Sequence, residues 1–403
     1  MTQPTSIDPR NLSEAKLPRR DWIVLPALSL LTICLIVVAT DLLGRLMFAN
    51  SYGAGEDCLV LNDPSTGARG IPNSVCQEKI PEGEATEYHF NGCGYRTGIE
   101  CGSKRTGPYR IVMLGESYAM GMRVPIEKTF AALLPAELSR RTGRNIELYN
   151  EGMPWRPPHA VALHFDEVLA AKPDMIFWVL VPADIWNPML PRAQPGSPQA
   201  ATPAPGKVKQ VLEATWKPLK AELSSHSGTL FRHFLYESQS QTIASYLAEK
   251  PDEPYMRRIH GPEFLKVEPS AELRGHLAEF DGDVAEIEAQ ARAAGVPLVA
   301  VMLPERPQAA MISRGEWPAG FDPYKLDNEL RSMIVSHGGT YVDVLPDLRD
   351  IPNSEQGFFA FEGHPNAYGH AMISGLLAKH LTDGAVPALR EATPQNAQLE
   401  RGR

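Results

Sequence analysis

Residues Tyr109 to Val124 read YRIVMLGESYAMGMRV, and the fold follows from this stretch. Arg110–Leu114 is a short run of Ile, Val, Met and Leu between Pro108 and Gly115, which predicts a buried strand. The chain must then turn at Gly115-Glu116-Ser117 before helical spacing resumes. A serine just past the C-terminal end of a buried strand stands where open α/β sheets bind ligands. The amides of a following helix can there face an anion.

Working outward, strand-like and helix-like stretches alternate. Strands are expected at Ile146–Tyr149, Met175–Val181, Val296–Leu303 and Tyr341–Val344. Helices are expected at Thr129–Arg141, His159–Ala171, Glu272–Ala294, Tyr324–His337 and Asn366–His380. Such alternation implies an α/β fold of three layers, α/β/α, with a parallel sheet covered on both faces. Ala200–Pro205 opens an insertion, residues 190–270, with helical patterns at Lys207–Leu223 and Leu230–Glu249. It leaves the sheet from the edge that bears Ser117. Its Trp216, Phe231, Phe234, Tyr236, Tyr246 and Tyr255 would line a lid over the site or form the insertion's own small core.

The N-terminal part divides into three. Residues 1–21 are polar and proline-containing. Trp22–Thr40 carries no charge for nineteen positions, long enough to cross a hydrocarbon core, so residues 22–47 are expected to be a transmembrane anchor. Arg10, Lys16, Arg19 and Arg20 precede it and Arg45 follows. That bias predicts a cytoplasmic N-terminus and an extracytoplasmic remainder, on a plasma membrane facing a periplasm if the source is Gram-negative. Residues 48–107 form a connector holding Cys58, Cys76, Cys93 and Cys101. An even set in an oxidising compartment suggests two disulfides, with three pairings open; a zinc site is the alternative. Residues 383–403 read as a polar tail.

Composition narrows the function classes. Across 403 residues, charged side chains make up 22% and the formal net charge is −9, without a basic cluster, so nucleic acid is not an expected partner. No P-loop, GxGxxG or HExxH is present, so no nucleotide cofactor or catalytic metal is expected.

Two further stretches bear on chemistry: Asn150-Glu151-Gly152 after the second strand, and Glu362-Gly363-His364-Pro365-Asn366 near the end. A serine hydroxyl is a poor nucleophile until a base takes its proton. His364 is the candidate base, and Glu362, two residues before it, can orient its ring. His370, six residues on, reads as structural, and His159 and His164 have no motif around them. The order Ser, Gly, acid-x-His resembles the SGNH (GDSL-type) hydrolase family over roughly residues 91–381. Asn91, Gly94-Tyr95-Arg96, Thr129–Leu134 and GHPNAYGH at Gly363–His370 share in the likeness. The α/β-hydrolase nucleophile elbow is a different motif, since Ala119 sits where that one needs Gly.

The resemblance implies a flavodoxin-like sheet and a serine esterase or acyltransferase acting on an acyl ester. It implies Ser117 as nucleophile, His364 as base, and the Ser117 and Gly152 amides plus an Asn side chain as oxyanion donors. This chain departs from the pattern at three places. Glu116 stands for the usual Asp. Phe361 occupies the usual position of the acid, which leaves Glu362 or a residue from elsewhere. Ala183, in Val181-Pro182-Ala183-Asp184, stands for the Asn. Asn187 is the nearest replacement donor; Asp184, expected to be exposed and ionised, is not one. The expected activity is a membrane-anchored esterase that removes or transfers a short acyl group, such as O-acetyl, on a cell-envelope glycan or small ester. The alternative is a non-catalytic module of the same fold in a membrane assembly.

Overall fold

A computed structural model describes residues 18, 20–48, 51–63, 67–102, 106–186, 226–238, 241–248, 262–360 and 362–390. Helix α1 (Asp21–Met47) and the residues up to Phe231 of a later helix group apart from the remainder, so α1 is taken by itself. Its 27 residues have a mean hydropathy of 2.6 over the most apolar window, which makes it long and apolar enough to cross a membrane. The hydroxyls of Thr32 and Thr40 donate to the carbonyls of Leu28 and Ile36, both at 2.8 Å, so neither needs water.

The main unit begins with the cysteine-bearing segment, which is more ordered than a loop-rich connector. Strands β1 (Tyr52–Gly53), β4 (Val75–Lys79) and β5 (Thr86–His89) form one antiparallel sheet, and β2 (Leu59–Asp63) pairs with β3 (Gly67–Gly70) in another. Cys58 is paired with Cys76 and Cys93 with Cys101, their Cα atoms 5.9 and 5.5 Å apart. Cys58, Leu59, Ala68, Tyr88 and Phe90 are buried in the same apolar core as the large sheet.

That sheet is built from β6 (Tyr109–Gly115), β7 (Ile146–Asn150), β8 (Met175–Leu180), β9 (Leu298–Met302) and β10 (Thr340–Val342). The strands are all parallel, in the spatial order β10-β9-β8-β6-β7. Numbered from β6, this is the 2-1-3-4-5 order of flavodoxin-like sheets, as the sequence predicted. Every side chain of β8 and of β9 is buried, which is why those strands read as unbroken apolar runs. The chain passes from β6 to β7 on one side and returns to β8 on the other. The C-terminal end of β6 is therefore the switch point, where such folds place their ligands.

Between strands run α2 (Ser117–Met120), α3 (Phe130–Thr142), α4 (Pro158–Leu163), α5 (Phe165–Ala170) and α6 (Pro182–Trp186). Then follow α7 (His226–Glu237), α8 (Ile243–Ala248), α9 (Ala271–Ala293), α10 (Arg306–Arg314), α11 (Lys325–His337) and α12 (Ala367–Thr382). Caps set the boundaries. Thr129 accepts the Ala132 amide, Ser270 that of Leu273 and Asn366 that of Gly369. Helix α3 packs on β7 and α12, whereas α9 packs on α4, α6 and α11.

Two expectations are corrected. The single helix expected at His159–Ala171 is two, because His164 leaves helical geometry at φ −116°, ψ 33°. Helix α10 had no counterpart; its Pro307 lies in the first turn, where a missing N–H costs nothing. Lys207–Leu223, Trp216 and Tyr255 lie outside the described residues, so of the expected insertion helices only α7 and α8 can be described. There Tyr236 and Tyr246 are buried, while Phe231 and Phe234 are 62% and 64% exposed. The Tyr236 hydroxyl donates to the Phe358 carbonyl at 2.6 Å, which makes it part of the core under the His364 loop.

Peptide mapping under non-reducing conditions is expected to recover Cys58 joined to Cys76 and Cys93 joined to Cys101. Each bridge should contribute about 2–4 kcal/mol to stability. A crossed pairing, or free thiols at these four positions, would contradict the fold of the segment.

Candidate active site

The site is made by two backbone approaches and one loop. Gly115 ends β6 at φ +148°, and a Cβ there would lie 2.4 Å from the Val179 carbonyl oxygen of β8. Only glycine can make that turn, and it delivers Ser117 as the first residue of α2. Gly152 follows β7; a Cβ on it would lie 2.6 Å from the Met120 amide nitrogen of α2. The third element is the loop Phe359–Asn366, closed by a bond from the Phe359 amide to the His364 carbonyl at 2.8 Å.

His364 Nε2 lies 2.9 Å from Ser117 Oγ. Its Nδ1 lies 2.7 Å and 2.8 Å from the two carboxylate oxygens of Glu362. Glu362 also accepts the backbone amide of His364 at 3.0 Å. Ser117, His364 and Glu362 thus form one hydrogen-bonded chain. The Tyr118 ring flanks the His364 ring with centroids 5.4 Å apart. Burial alone would push the Glu362 carboxyl up. The His364 ring beside it, the hydrogen bonds from that residue and the Arg123 guanidinium outweigh this and hold it well below the usual carboxylate range.

The expected oxyanion donors fare unevenly. The Ser117 amide opens α2, so no carbonyl of its own helix can accept from it. The Gly152 amide instead donates to Asn150 Oδ1 at 2.8 Å. The need for glycine at 152 comes from the approach to α2. Ala183 is buried at the start of α6, and its side chain offers no donor. Asn187 lies outside the described residues. Asp184 corrects the expectation of an exposed carboxylate. It is 5% exposed and accepts the Val181 amide at 2.7 Å. Burial, then the nearby Glu116 carboxyl, push its pKa well above the ordinary value.

His370 is structural, as expected. It is fully buried, its ring stacks on Phe130, and its Nδ1 accepts the Phe130 amide at 3.2 Å. Burial, then Arg96, lower its pKa to about 3, so it stays neutral.

Two arginines were given no role in the sequence analysis. Arg96 is buried and donates to the carbonyls of Met120, Gly121 and Val124, in the turn after α2. Arg123 reaches Glu362 Oε1 with Nε at 3.0 Å. The available signal for Arg123 is that it is the sole charged residue between Glu116 and Glu127. Among the described residues no cluster of His, Cys, Asp and Glu could hold a metal ion.

Comparison with protein-family models returns no match, and neither does comparison with curated proteins. Solved structures do resemble this chain, and lipolytic proteins of the G-D-S-L family are among them. An α/β-hydrolase enzyme from the metagenome of Lake Arreo, Spain, is 15% identical, with 72% of this chain and 100% of that one covered at a TM-score of 0.36. An acetylxylan esterase from Geobacillus stearothermophilus, solved as a catalytic mutant, is 9% identical, with coverages of 69% and 96% and a TM-score of 0.36. A lipolytic protein of the G-D-S-L family from Veillonella parvula is 11% identical, with coverages of 67% and 96% and a TM-score of 0.31.

A buried acid beside the site yields a stability prediction. Glu151 is 2% exposed and its Oε2 has no hydrogen-bond partner. Burial, opposed by Arg156, pushes its pKa up to about 8 from 4.5. The folded chain then binds a proton that the unfolded chain has released, so this group's contribution to stability falls as pH rises from about 4.5 to 8. Glu151→Gln should remove that fall, a matter of a few kcal/mol by order of magnitude. In thermal melts at pH 6 and pH 9, the variant should lose less Tm on alkalinisation than wild type. Equal losses would place an ionised Glu151 in the fold.

Proposed function

We propose that this chain is an SGNH-type serine esterase, anchored in the plasma membrane by α1 with its main unit on the extracytoplasmic side. It would remove or transfer a short acyl group on a cell-envelope glycan or a small ester. The observation that carries this reading is the unbroken chain from Ser117 Oγ through His364 to Glu362. Ser117 Oγ attacks the ester carbonyl while His364 Nε2 takes its proton. The Ser117 amide faces the developing oxyanion, and the imidazolium formed is held by ionised Glu362. The alcohol leaves with the proton from His364. Water or a sugar hydroxyl, deprotonated by the same ring, then attacks the acyl-serine and frees Ser117. Hydrolysis and transfer differ only in that acceptor. The length and hydropathy of α1 and the two paired cystines support an anchored, extracytoplasmic protein.

Two observations favour a second reading, a non-catalytic module of a membrane assembly: the Gly152 amide is engaged by Asn150, and the Ala183 side chain has no donor. The two are separated by a fluorophosphonate probe. Wild type should be labelled and Ser117→Ala should not; an unlabelled wild type beside a labelled control enzyme selects the module. If Ser117 and His364 act as a unit, their alanine variants should lose kcat to a similar residual level, and the double variant little more. Glu362→Ala should cost less than either, and additive losses at Ser117 and His364 would contradict the mechanism.

Topology has its own check. A reporter active only outside the cytoplasm, fused after Arg403, is expected to be active. Activity of a cytoplasm-only reporter there would overturn the anchored orientation.

A further inference from the structure

The Glu362 carboxylate does not stand on its own loop alone. Its Oε1, 2.7 Å from the His364 ring, also accepts Arg123 Nε at 3.0 Å. The other two arms of that guanidinium reach Glu78 and, at 3.2 Å, Glu56, both in the cystine-bearing segment. Glu78 is 4% exposed and its second oxygen takes the Tyr88 hydroxyl at 2.7 Å. Tyr88 in turn accepts the Arg123 backbone amide at 2.8 Å. Arg123 itself sits at φ +69°, a left-handed conformation that costs a non-glycine residue and persists only where surroundings enforce it. The Cys58–Cys76 bridge joins the two pieces that carry the acids, the turn Gly55–Cys58 and strand β4.

We propose that Arg123 is a positioning residue, through which the cystine-tied segment Gly55–Lys79 fixes the carboxylate that orients the catalytic histidine. The inference rests on the esterase reading of the site. All three arms of the arginine end on carboxylates, and the one on Glu362 uses the same oxygen as the His364 ring. A carboxylate gripped from both sides cannot rotate away when the ring becomes charged. An arginine needed only to neutralise Glu78 would have no reason to reach Glu362. The Glu362 amide is tied to the loop that follows this segment, donating to Glu82 Oε1 at 2.8 Å.

The test is a double-mutant cycle in the full chain. Arg123→Met should lower kcat about 10- to 100-fold, as small misplacements of a reacting group do, with KM changed less than about twofold. In a Glu362→Gln background the same substitution should change kcat by less than about threefold, because its target is already gone. Equal losses in both backgrounds would overturn the proposal. A readout independent of turnover is the far-downfield proton resonance of the His364 Nδ1–H held by Glu362, followed in Ser117→Ala protein. It should be sharp with Arg123 present and broadened or lost in Arg123→Met. The pair Glu56→Gln/Glu78→Gln keeps the arginine but releases its anchors, and should broaden the same resonance. An unchanged resonance in both variants would refute the role even if the protein proves not to be an esterase. Should Arg123→Met fail to fold, Arg123→Met/Glu78→Gln removes both members of the buried pair and carries the same expectation.

Discussion

A methyl group on Gly115 would meet the Val179 carbonyl oxygen at 2.4 Å, and one on Gly152 would meet the Met120 amide nitrogen at 2.6 Å. These two absent side chains let the ends of β6, β7 and β8 and the short helix α2 converge on one point. The strand order makes that point a switch between two crossover directions, so a crevice opens there whatever the side chains are. The sequence then places a serine at the first position of α2, where its amide has no intrahelical acceptor and its hydroxyl faces the His364 loop. An alanine at 115 would have to move a strand backbone, and Ser117 with it.

The remaining geometry is held by buried charge. Arg96 binds three carbonyls of the turn after α2, and Arg123, within that turn, reaches out to three carboxylates. An exposed ion pair would contribute roughly 0–1 kcal/mol and could not hold a loop. Arg123 is only 15% exposed and Glu78 only 5%, so the relevant figure is the cost of removing one partner of a buried pair, about 3–5 kcal/mol. Such a pair adds little net stability over an apolar core but penalises every other arrangement of the loop. A site that must keep one hydrogen-bonded chain in register has use for that property.

Most of the architecture was legible because it is carried by local pattern. Unbroken apolar runs flanked by turn residues announced β6, β7, β8 and β9, and the alternation with helices announced a parallel sheet. Ser117, Glu362 and His364 were legible because each lies in a short motif with its own turn. Arg96 and Arg123 were not, since each acts on groups 24 to 239 positions away, and nothing in local periodicity marks a long-range contact. The Gly152 amide is a related case: nothing local in Asn150-Glu151-Gly152 shows that the Asn150 side chain turns back to take it. Helix α10 was hidden by Pro307, which ends a helix at most positions but is tolerated in a first turn.

Glu362 and Asp184 are driven in opposite directions by their surroundings. The His364 ring and Arg123 outweigh the burial of Glu362 and hold its carboxyl low. In Asp184, burial and the Glu116 carboxyl both act upward. A pair of titratable groups with environments that push them apart defines which one serves the base. Glu362 is the member that can stabilise an imidazolium.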